Sequence, residues 1–406
     1  MKELRYTTTA IPENIIPDGT EYILWLASWY PSKTEPYNGD FIQRHAIAVS
    51  RYRYIVVLHT IHDPAAESAV YYEVSVQQNL VEIIIYFRDT IPSGAIISRL
   101  QYNIAFFRHT KHFVTELFKK SSSPLFVHVH VPMKMGKIAL WIKKNWNLSF
   151  LVSEHSASYV KEAPDNYFSR SIYYRNNVKR IFNDAVAVTN VSATVGKILQ
   201  QTFSIRQFFI IRNVVDENLF YFKNRIPLRF RFIHVSTMTY QKNFEGLIHA
   251  FEIFSNDRND VELILAGPIS AEGIKWVNES SARSKIIVSG EVPYKEIASL
   301  MQESDGFILF SRYENFPCVI IEALCCGLPV ITSDAGGAGE GINADNGIVV
   351  PSENEPALIK AMNDIINTYS RYNRTTIADR ARTLYSYNAI GKEFEKLYSL
   401  PGLVKR

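Results

Sequence analysis

Cysteine is scarce in this 406-residue chain: three residues, Cys318, Cys325 and Cys326, all in one segment. An odd, clustered set offers no disulfide framework and points to a reducing compartment. Long apolar runs are missing as well. No stretch approaches the roughly 18–20 uninterrupted apolar residues that cross a bilayer. The opening MKELRYTTTAIPENIIPDGTEYILWLAS has no charged start followed by an apolar run and a small-residue cleavage site. These absences predict a soluble, cytoplasmic protein. Charge of one sign is also lacking, since 44 Lys and Arg against 40 Asp and Glu leave a net +4. Without a dense basic stripe, nucleic acid is not an expected partner. There is no low-complexity segment and no repeat of 20–50 residues, which excludes solenoids.

What the chain does have is 47% hydrophobic and 21% charged residues, enough to bury a large core in two or three domains. Short apolar runs alternate with amphipathic segments. In the second half the runs are FRFIHVS (230–236), VELILAG (261–267), KIIVSG (285–290), GFILFS (306–311) and LPVITS (328–333). Between the first two, NFEGLIHAFEIF (243–254) places Phe244, Leu247, Ile248, Phe251 and Phe254 at helical spacing, with Asn243 as N-cap. Strand–helix–strand repetition implies a parallel sheet with right-handed crossovers, hence an α/β fold. The first half repeats the rhythm, with strands expected at 21–28, 54–60, 81–87, 125–130, 148–154, 185–189 and 208–212. Helices are expected near 41–52, 98–120, 134–145, 168–183 and 191–201, and a last one over 386–399. The polar segment Asn213–Asn224 reads as the boundary.

The most informative segment is SRYENFPCVIIEALCCGLPVITSDAGGAGEGINADNGIVV (311–350). A strand ends at Ser311, a loop carries Glu314, and a helix is predicted to begin near Phe316. Pro317 suits a first helical turn, where its missing N–H costs nothing. Gly327 and Pro329 stop the helix. The free amides around Asn315, Phe316 and Val319 then face the C-terminal edge of a parallel sheet, a place that favours an anion such as phosphate. Glu314 lies at the mouth of that site. Glu322, about two turns into an apolar helix, reads equally as a satisfied core carboxylate or as a ligand-binding group.

This segment resembles the Glu-x7-Glu signature of the retaining glycosyltransferases of family 4. More of the chain is similar to that family: HVSTMTYQKNFEGLIHAF to its phosphate site, with Lys242 on the lysine, and RNVVDENLF to its interdomain segment, with Asn213 and Asp216. LILAGPI and VSGEVPYKEIASLM resemble its nucleobase pocket, with Gly267, Gly290 and Val292, and DAGGAGEGI and NGIVV its closing segment, with Gly336, Gly337, Glu340, Asn346 and Gly347. In the first half, SWYPSKTEPYNGDFIQRHA resembles the first glycine-bearing loop, here with the single Gly39. HVHVP resembles the acceptor-side strand and SEHSA the histidine loop. Ser236 and Thr237 stand where the family often has Gly-Arg.

The resemblance implies the GT-B architecture: two Rossmann-like parallel-sheet domains facing a central cleft. Residues 1–213 would bind the acceptor and 214–385 the nucleotide-sugar, and a helix in 386–406 would return to the first domain. It also implies roles. Lys242 and the amides near 315–319 would stabilise the charge of a departing diphosphate. Glu314 would hold hydroxyls of the transferred sugar, Glu322 the ribose, and His155 the sugar pocket near the acceptor. Gly39, Gly267 and Val292 would shape the donor site. No metal or other cofactor is implied; the donor substrate would be a UDP- or GDP-sugar, and the acceptor a glycan or lipid-linked saccharide of cell-surface polysaccharide or glycolipid synthesis.

Other readings stay open. A relative that keeps the fold as a non-catalytic binding or scaffolding protein is favoured by Thr237. His128 and His130 share one strand face and would begin a metal site if carboxylates joined them and His155. WIKKNWN (141–147) and FKK (118–120) are either solvated helix surface or a peripheral membrane contact with anionic lipid.

Overall fold

Apolar strands joined by amphipathic helices bury both strand faces only when the strands run parallel between two helical layers, and both halves of the chain do this. The computed structural model describes residues 4–88, 95–224 and 228–404. The first sheet contains β1 (Leu4–Thr8), β2 (Tyr22–Ala27), β3 (Tyr54–His62), β4 (Val70–Gln77), β5 (Leu80–Phe87), β6 (Val127–His130), β7 (Phe150–Glu154), β8 (Val188–Asn190) and β9 (Phe208–Ile210). Their order is β1-β4-β5-β3-β2-β6-β7-β8-β9. The second sheet orders β10 (Phe230–Val235), β11 (Val261–Ala266), β12 (Ile286–Gly290), β13 (Gly306–Leu309), β14 (Val330–Ser333) and β15 (Gly347–Val350) as β12-β11-β10-β13-β14-β15, all parallel.

The first sheet departs from the sequence reading at one edge. Strands β1 and β4 were not expected, and they make the edge antiparallel, through β1 with β4 and β4 with β5. Neither is an apolar run. VYYEVSVQ alternates because one face of β4 is half-exposed, and LRYTT is mostly exposed.

The helices of the first half are α1 (Asp40–Ser50), α2 (Ala95–Lys120), α3 (Met135–Trp146), α4 (Ile172–Asp184) and α5 (Ala193–Thr202). The second half adds α6 (Phe244–Ser255), α7 (Ala271–Glu279), α8 (Tyr294–Gln302), α9 (Cys318–Cys325), α10 (Glu355–Asn367), α11 (Arg374–Tyr385) and α12 (Tyr387–Tyr398). Strand β2 illustrates the two-sided core. Leu24 and Leu26 pack with Ile138 and Phe182, while Ile23 and Trp25 pack with Val49, Ile390 and Phe394. The last helix therefore lies on the first sheet beside α1. Truncating Phe394 to Ala at this buried position costs about 3–5 kcal/mol. The two crossings between the sheets run side by side, for Val215 N–H donates to Tyr385 O at 2.9 Å and Val215 bridges Ser386. Among the described residues no helix is long and apolar enough to cross a membrane.

Candidate active site

The C-terminal edge of the second sheet is built around a buried imidazole. His234, at the end of β10, has its pKa pushed down to about 4 by burial, so its ring is neutral. Its Nδ1 faces Ile308 O at 2.9 Å, which fixes that nitrogen as the donor. Nε2 then accepts from Ser236 Oγ at 2.7 Å, and Ser236 Oγ in turn accepts from Met238 N–H at 2.9 Å. Gly267 seats this turn on β11. Its φ is +128°, and a Cβ there would lie 1.9 Å from Ser236 O. Thr237, within the turn, is exposed.

The turn delivers Gln241 and Lys242 to the loop after β13. Lys242 Nζ pairs with Glu314 Oε1, which also accepts from Ser311 Oγ at 2.8 Å. Gln241 Nε2 donates to Tyr313 O at 3.0 Å. Both Lys242 and Glu314 are largely shielded, so the pair is a desolvated cation–carboxylate contact.

Helix α9 starts later than expected. It spans Cys318–Cys325, and Pro317 is its N-cap with extended backbone (φ −69°, ψ 126°) instead of a first-turn residue. The cause lies one step earlier. Asn315 and Phe316 are held by the first half of the chain, through Asn315 Nδ2 to His155 O at 2.9 Å, Ser192 Oγ to Asn315 Oδ1 at 2.7 Å, and Asn213 Nδ2 to Phe316 O at 2.7 Å. Asn243 likewise is no side-chain cap. It precedes α6 in the left-handed region (φ 48°) and makes no capping bond.

Together these loops enclose a cleft of about 550 Å³ whose walls include His155, Glu314, Asn315 and Phe316 with Trp29 and Asn213. The Oδ1 of Asn213 and the Nδ1 of His155 are buried with no hydrogen-bond partner among the described residues. His155 stacks on His130 with ring centroids 5.4 Å apart, its Nε2 lying 3.1 Å from His130 Nδ1. Burial, and then the neighbouring His45, hold its pKa well below the ordinary histidine value. It is a neutral donor or acceptor and not a standing cation. Gly39 is the residue before α1, with φ +74°, and a Cβ there would lie 2.5 Å from the carbonyl carbon of Trp29, a cleft residue.

Glu322 is not a wall of this cleft. It is buried on α9, where its Oε1 accepts from Arg44 Nη1 at 2.7 Å and from the Tyr294 hydroxyl. Burial raises its pKa, and Arg44 and Tyr294 offset that only in part. Arg44 comes from α1, so this ion pair joins the two sheets. Val319 and Val292 are half-buried packing residues of the same core. Sequence reasoning missed Arg44 and Tyr294. The one available signal was a cation flanked by Ile42, His45, Ala46 and Val49 on the buried face of α1, since a buried charge requires a partner. Glu340 also joins the halves, accepting from Ala193 N–H (3.0 Å) and Thr194 N–H (2.8 Å) at the start of α5 and pairing with Arg212.

The cysteines are poor nucleophiles. Burial pushes the thiols of Cys318 and Cys325 up to about 12. Among the described residues no three His, Cys, Asp or Glu side chains are gathered as metal ligands. His128 and His130 do share a face, but His128 spends its nitrogens on Tyr398 (2.8 Å) and Ser153 (2.7 Å).

Residues 218–382, which include the whole second sheet and the Lys242–Glu314 pair, match the family model of the glycosyl transferases group 1. Anabaena HepE, solved in complex with UDP and glucose, superimposes with a TM-score of 0.69 over 94% of this chain and 100% of its own, at 18% identity. The fold is GT-B. Within that fold, residues 218–382, less than half of the chain, are similar to the glycosyl transferases group 1. Among curated proteins, glycogen synthase of Mycobacterium tuberculosis is 23% identical over 211 residues, covering 50% of each chain. The chain thus spans about half the length of the curated relatives it matches first. A Campylobacter jejuni N,N'-diacetylbacillosaminyl-diphospho-undecaprenol α-1,3-N-acetylgalactosaminyltransferase is 32% identical over 127 residues, 30% of this chain and 34% of that protein.

Proposed function

We propose that this protein is a retaining glycosyltransferase that moves a sugar from a UDP- or GDP-sugar to a glycan or lipid-linked saccharide in cell-surface polysaccharide or glycolipid synthesis, acting in the cytoplasm. The observation that carries this reading is the shielded Lys242–Glu314 pair, of which Glu314 lines the cleft. A lysine and a carboxylate held in contact neutralise each other, and an arriving diphosphate and sugar hydroxyls would take one partner each. The name of the Campylobacter relative, with its diphospho-lipid acceptor, favours a lipid-linked acceptor.

In this reaction the anomeric C–O bond of the donor breaks, and the electron pair leaves with the diphosphate. Lys242 leaves Glu314 for the phosphate oxygens and, with the N–H groups that open α9, stabilises the developing charge. Glu314 then accepts from hydroxyls of the transferred sugar and holds its anomeric carbon in a near-attack pose. Neutral His155 and the unpaired Asn213 Oδ1 bind sugar hydroxyls across the cleft. The acceptor oxygen attacks from the face the diphosphate leaves, and its proton passes to the departing phosphate. Glu322, which the resemblance assigns to the ribose, would reach it only if its contacts with Arg44 and Tyr294 opened. Lys242 and the N–H groups that open α9 are the groups of this chain that the scheme brings to the developing charge.

The test is calorimetric binding of UDP and GDP together with nucleotide release from their sugars. One nucleotide should bind saturably to the wild type, and Lys242→Ala should weaken it about 10- to 100-fold, the loss of one charged hydrogen bond. Glu314→Gln should keep nucleotide binding and lose transfer. Absence of binding at millimolar nucleotide would overturn the reading. Tight binding without turnover on any saccharide acceptor would move the choice to a scaffolding protein.

A further inference from the structure

Imidazoles crowd the ground between the cleft and the core of the first sheet. His130, buried at the end of β6, packs against the Trp25 ring (centroids 4.0 Å apart) and the His128 ring (4.1 Å). His155 of the cleft stacks on His130, and the ring of His45, from α1, lies 5.5 Å from His155. We propose that His130 is a positioning residue that makes His155 a hydrogen-bond donor. His130 gives its Nδ1–H to His155 Nε2, the proton of His155 sits on Nδ1, and the sugar group that reaches it must offer a lone pair. The sugar contact rests on the transfer reaction proposed above; the proton's position does not.

The assignment follows from counting donors and acceptors. Burial keeps His45, His130 and His155 neutral, so each ring has one N–H and one bare nitrogen. A carbonyl only accepts. The 2.9 Å contact between His45 Nε2 and Arg212 O therefore puts the His45 proton on Nε2 and leaves Nδ1 bare. The 3.1 Å contact between His130 Nδ1 and His155 Nε2 needs one proton, from one side or the other. If His155 supplied it, the His130 proton would be on Nε2, which is buried with no hydrogen-bond partner among the described residues. His155 and His45, adjacent rings, would then both keep bare and unpartnered Nδ1 atoms. A stranded buried N–H is rarer in folded proteins than a stranded acceptor. If His130 supplies the proton, its Nε2 is bare, and the spare N–H moves to His155 Nδ1, on a residue that lines the cleft. There an entering oxygen can accept it.

The surroundings hold this arrangement. Glu154 Oε1 accepts from the N–H groups of His155 (2.9 Å) and Ser156 (2.8 Å), and His155 O accepts from Asn315 Nδ2 at 2.9 Å. The hydrogen bond at one imidazole nitrogen decides what the other offers. Asn213 supplies the opposite polarity in the same cleft. Its Nδ2 donates to Phe316 O at 2.7 Å, so the free end is the acceptor Oδ1. The cleft thus presents one fixed donor and one fixed acceptor. A hydroxyl satisfies either. Next to His155, a carboxylate or an acetamido carbonyl is also accepted, whereas the ammonium of an amino sugar would meet another N–H.

The test is long-range proton–nitrogen NMR of the protein labelled with ¹⁵N-histidine, at neutral pH, with His155→Asn to locate the His155 signals. In the wild type, the His155 proton is expected on Nδ1. His130→Phe, which has no N–H to give, should move it to Nε2, and His130→Asn, whose amide can donate, should return it to Nδ1. Circular dichroism reports folding, and the wild-type spectrum decides the assignment even if His130→Phe does not fold. Nucleotide release from UDP- and GDP-sugars should fall about tenfold in His130→Phe, the loss of one hydrogen bond, and recover in His130→Asn. Binding of UDP or GDP itself should stay within about twofold. A wild-type proton on Nε2, or a proton on Nδ1 that ignores His130→Phe, would overturn the role of His130. A tautomer that changes while nucleotide release does not would overturn the contact with the sugar. The spectrum needs no substrate, so absent nucleotide binding defeats the proposed reaction alone.

Discussion

Arg44 determines the state of Glu322. The two side chains are about 9% and 2% exposed, so the carboxylate has exchanged water for one guanidinium nitrogen and one phenol. Removing one partner of a buried pair leaves an uncompensated charge and costs about 3–5 kcal/mol, whereas removing both charges is often close to neutral. Arg44→Met should therefore destabilise the protein by about that amount in urea, and Arg44→Met/Glu322→Gln should recover most of it. A single-variant loss under about 1 kcal/mol, or no recovery in the pair, would mean that the contact carries no net energy. The sequence marks Glu322 as a polar break in an apolar helix. It does not mark its partners, because Arg44 stands 278 positions earlier and meets it only when the two sheets come together.

At the scale of elements, the C-terminal edge of the second sheet rests on turns where backbone meets backbone. Gly267 and Gly290 follow or end adjacent strands, with φ of +128° and +69°, yet they differ in surroundings. A Cβ on Gly267 would overlap Ser236 O, while a Cβ on Gly290 would meet nothing within 4 Å. Gly290→Ala should cost only the left-handed penalty of about 1–2 kcal/mol. Gly267→Ala must also push the Ser236–Lys242 turn away from β11, so it should destabilise more and weaken nucleotide binding with it. Thermal melts with UDP or GDP titrations compare the two; equal effects would show that the turn yields freely. The helices and strands around these turns were legible as far as their residues had one consistent environment. The five apolar runs of the second half are strands of the second sheet within two residues of where periodicity put them, four of them largely buried and β12 a half-exposed edge. Strands β1 and β4 were missed because their exposed faces break the apolar run. Pro317 was placed one position too far into α9 because the pull of Ser192 and His155 on Asn315 is long-range. Of the candidate residues, His155, Glu314, Asn315 and Phe316 meet at the cleft, with Lys242 bonded to Glu314; Val319 and Val292 pack the core, which their apolar character alone could equally have suggested.

For the whole molecule, the crowding of imidazoles predicts how it responds to acid. His45, His59, His128, His130 and His234 are buried, and His155 packs against His45 and His130 at the cleft. Burial lowers all six pKa values, to about 4 for His45, His59 and His234 and well below the ordinary value for the other three. A group whose folded pKa is depressed stabilises the fold above its unfolded pKa of about 6.5, and that stability is lost as pH falls toward the folded value. Each such histidine contributes a slope of about 1.4 kcal/mol per pH unit within the window, so six together approach roughly 8 kcal/mol per unit. Glu154 works the other way. Burial raises its pKa to about 7, so its share of stability is full below the unfolded carboxylate value and fades as pH rises toward 7. Burial raises the pKa of Glu322 as well, so two carboxylates offset part of what six histidines lose. With a total stability of about 5–15 kcal/mol, the fold should hold at pH 7–8 and fail cooperatively near pH 5–6. Thermal midpoints measured from pH 8 to pH 5 in one buffer series check this. A midpoint that stays level down to pH 5 would mean that the imidazole cluster is hydrated or relaxes to accept protons, and would remove the neutral His155 on which the proposed sugar contacts of the cleft depend.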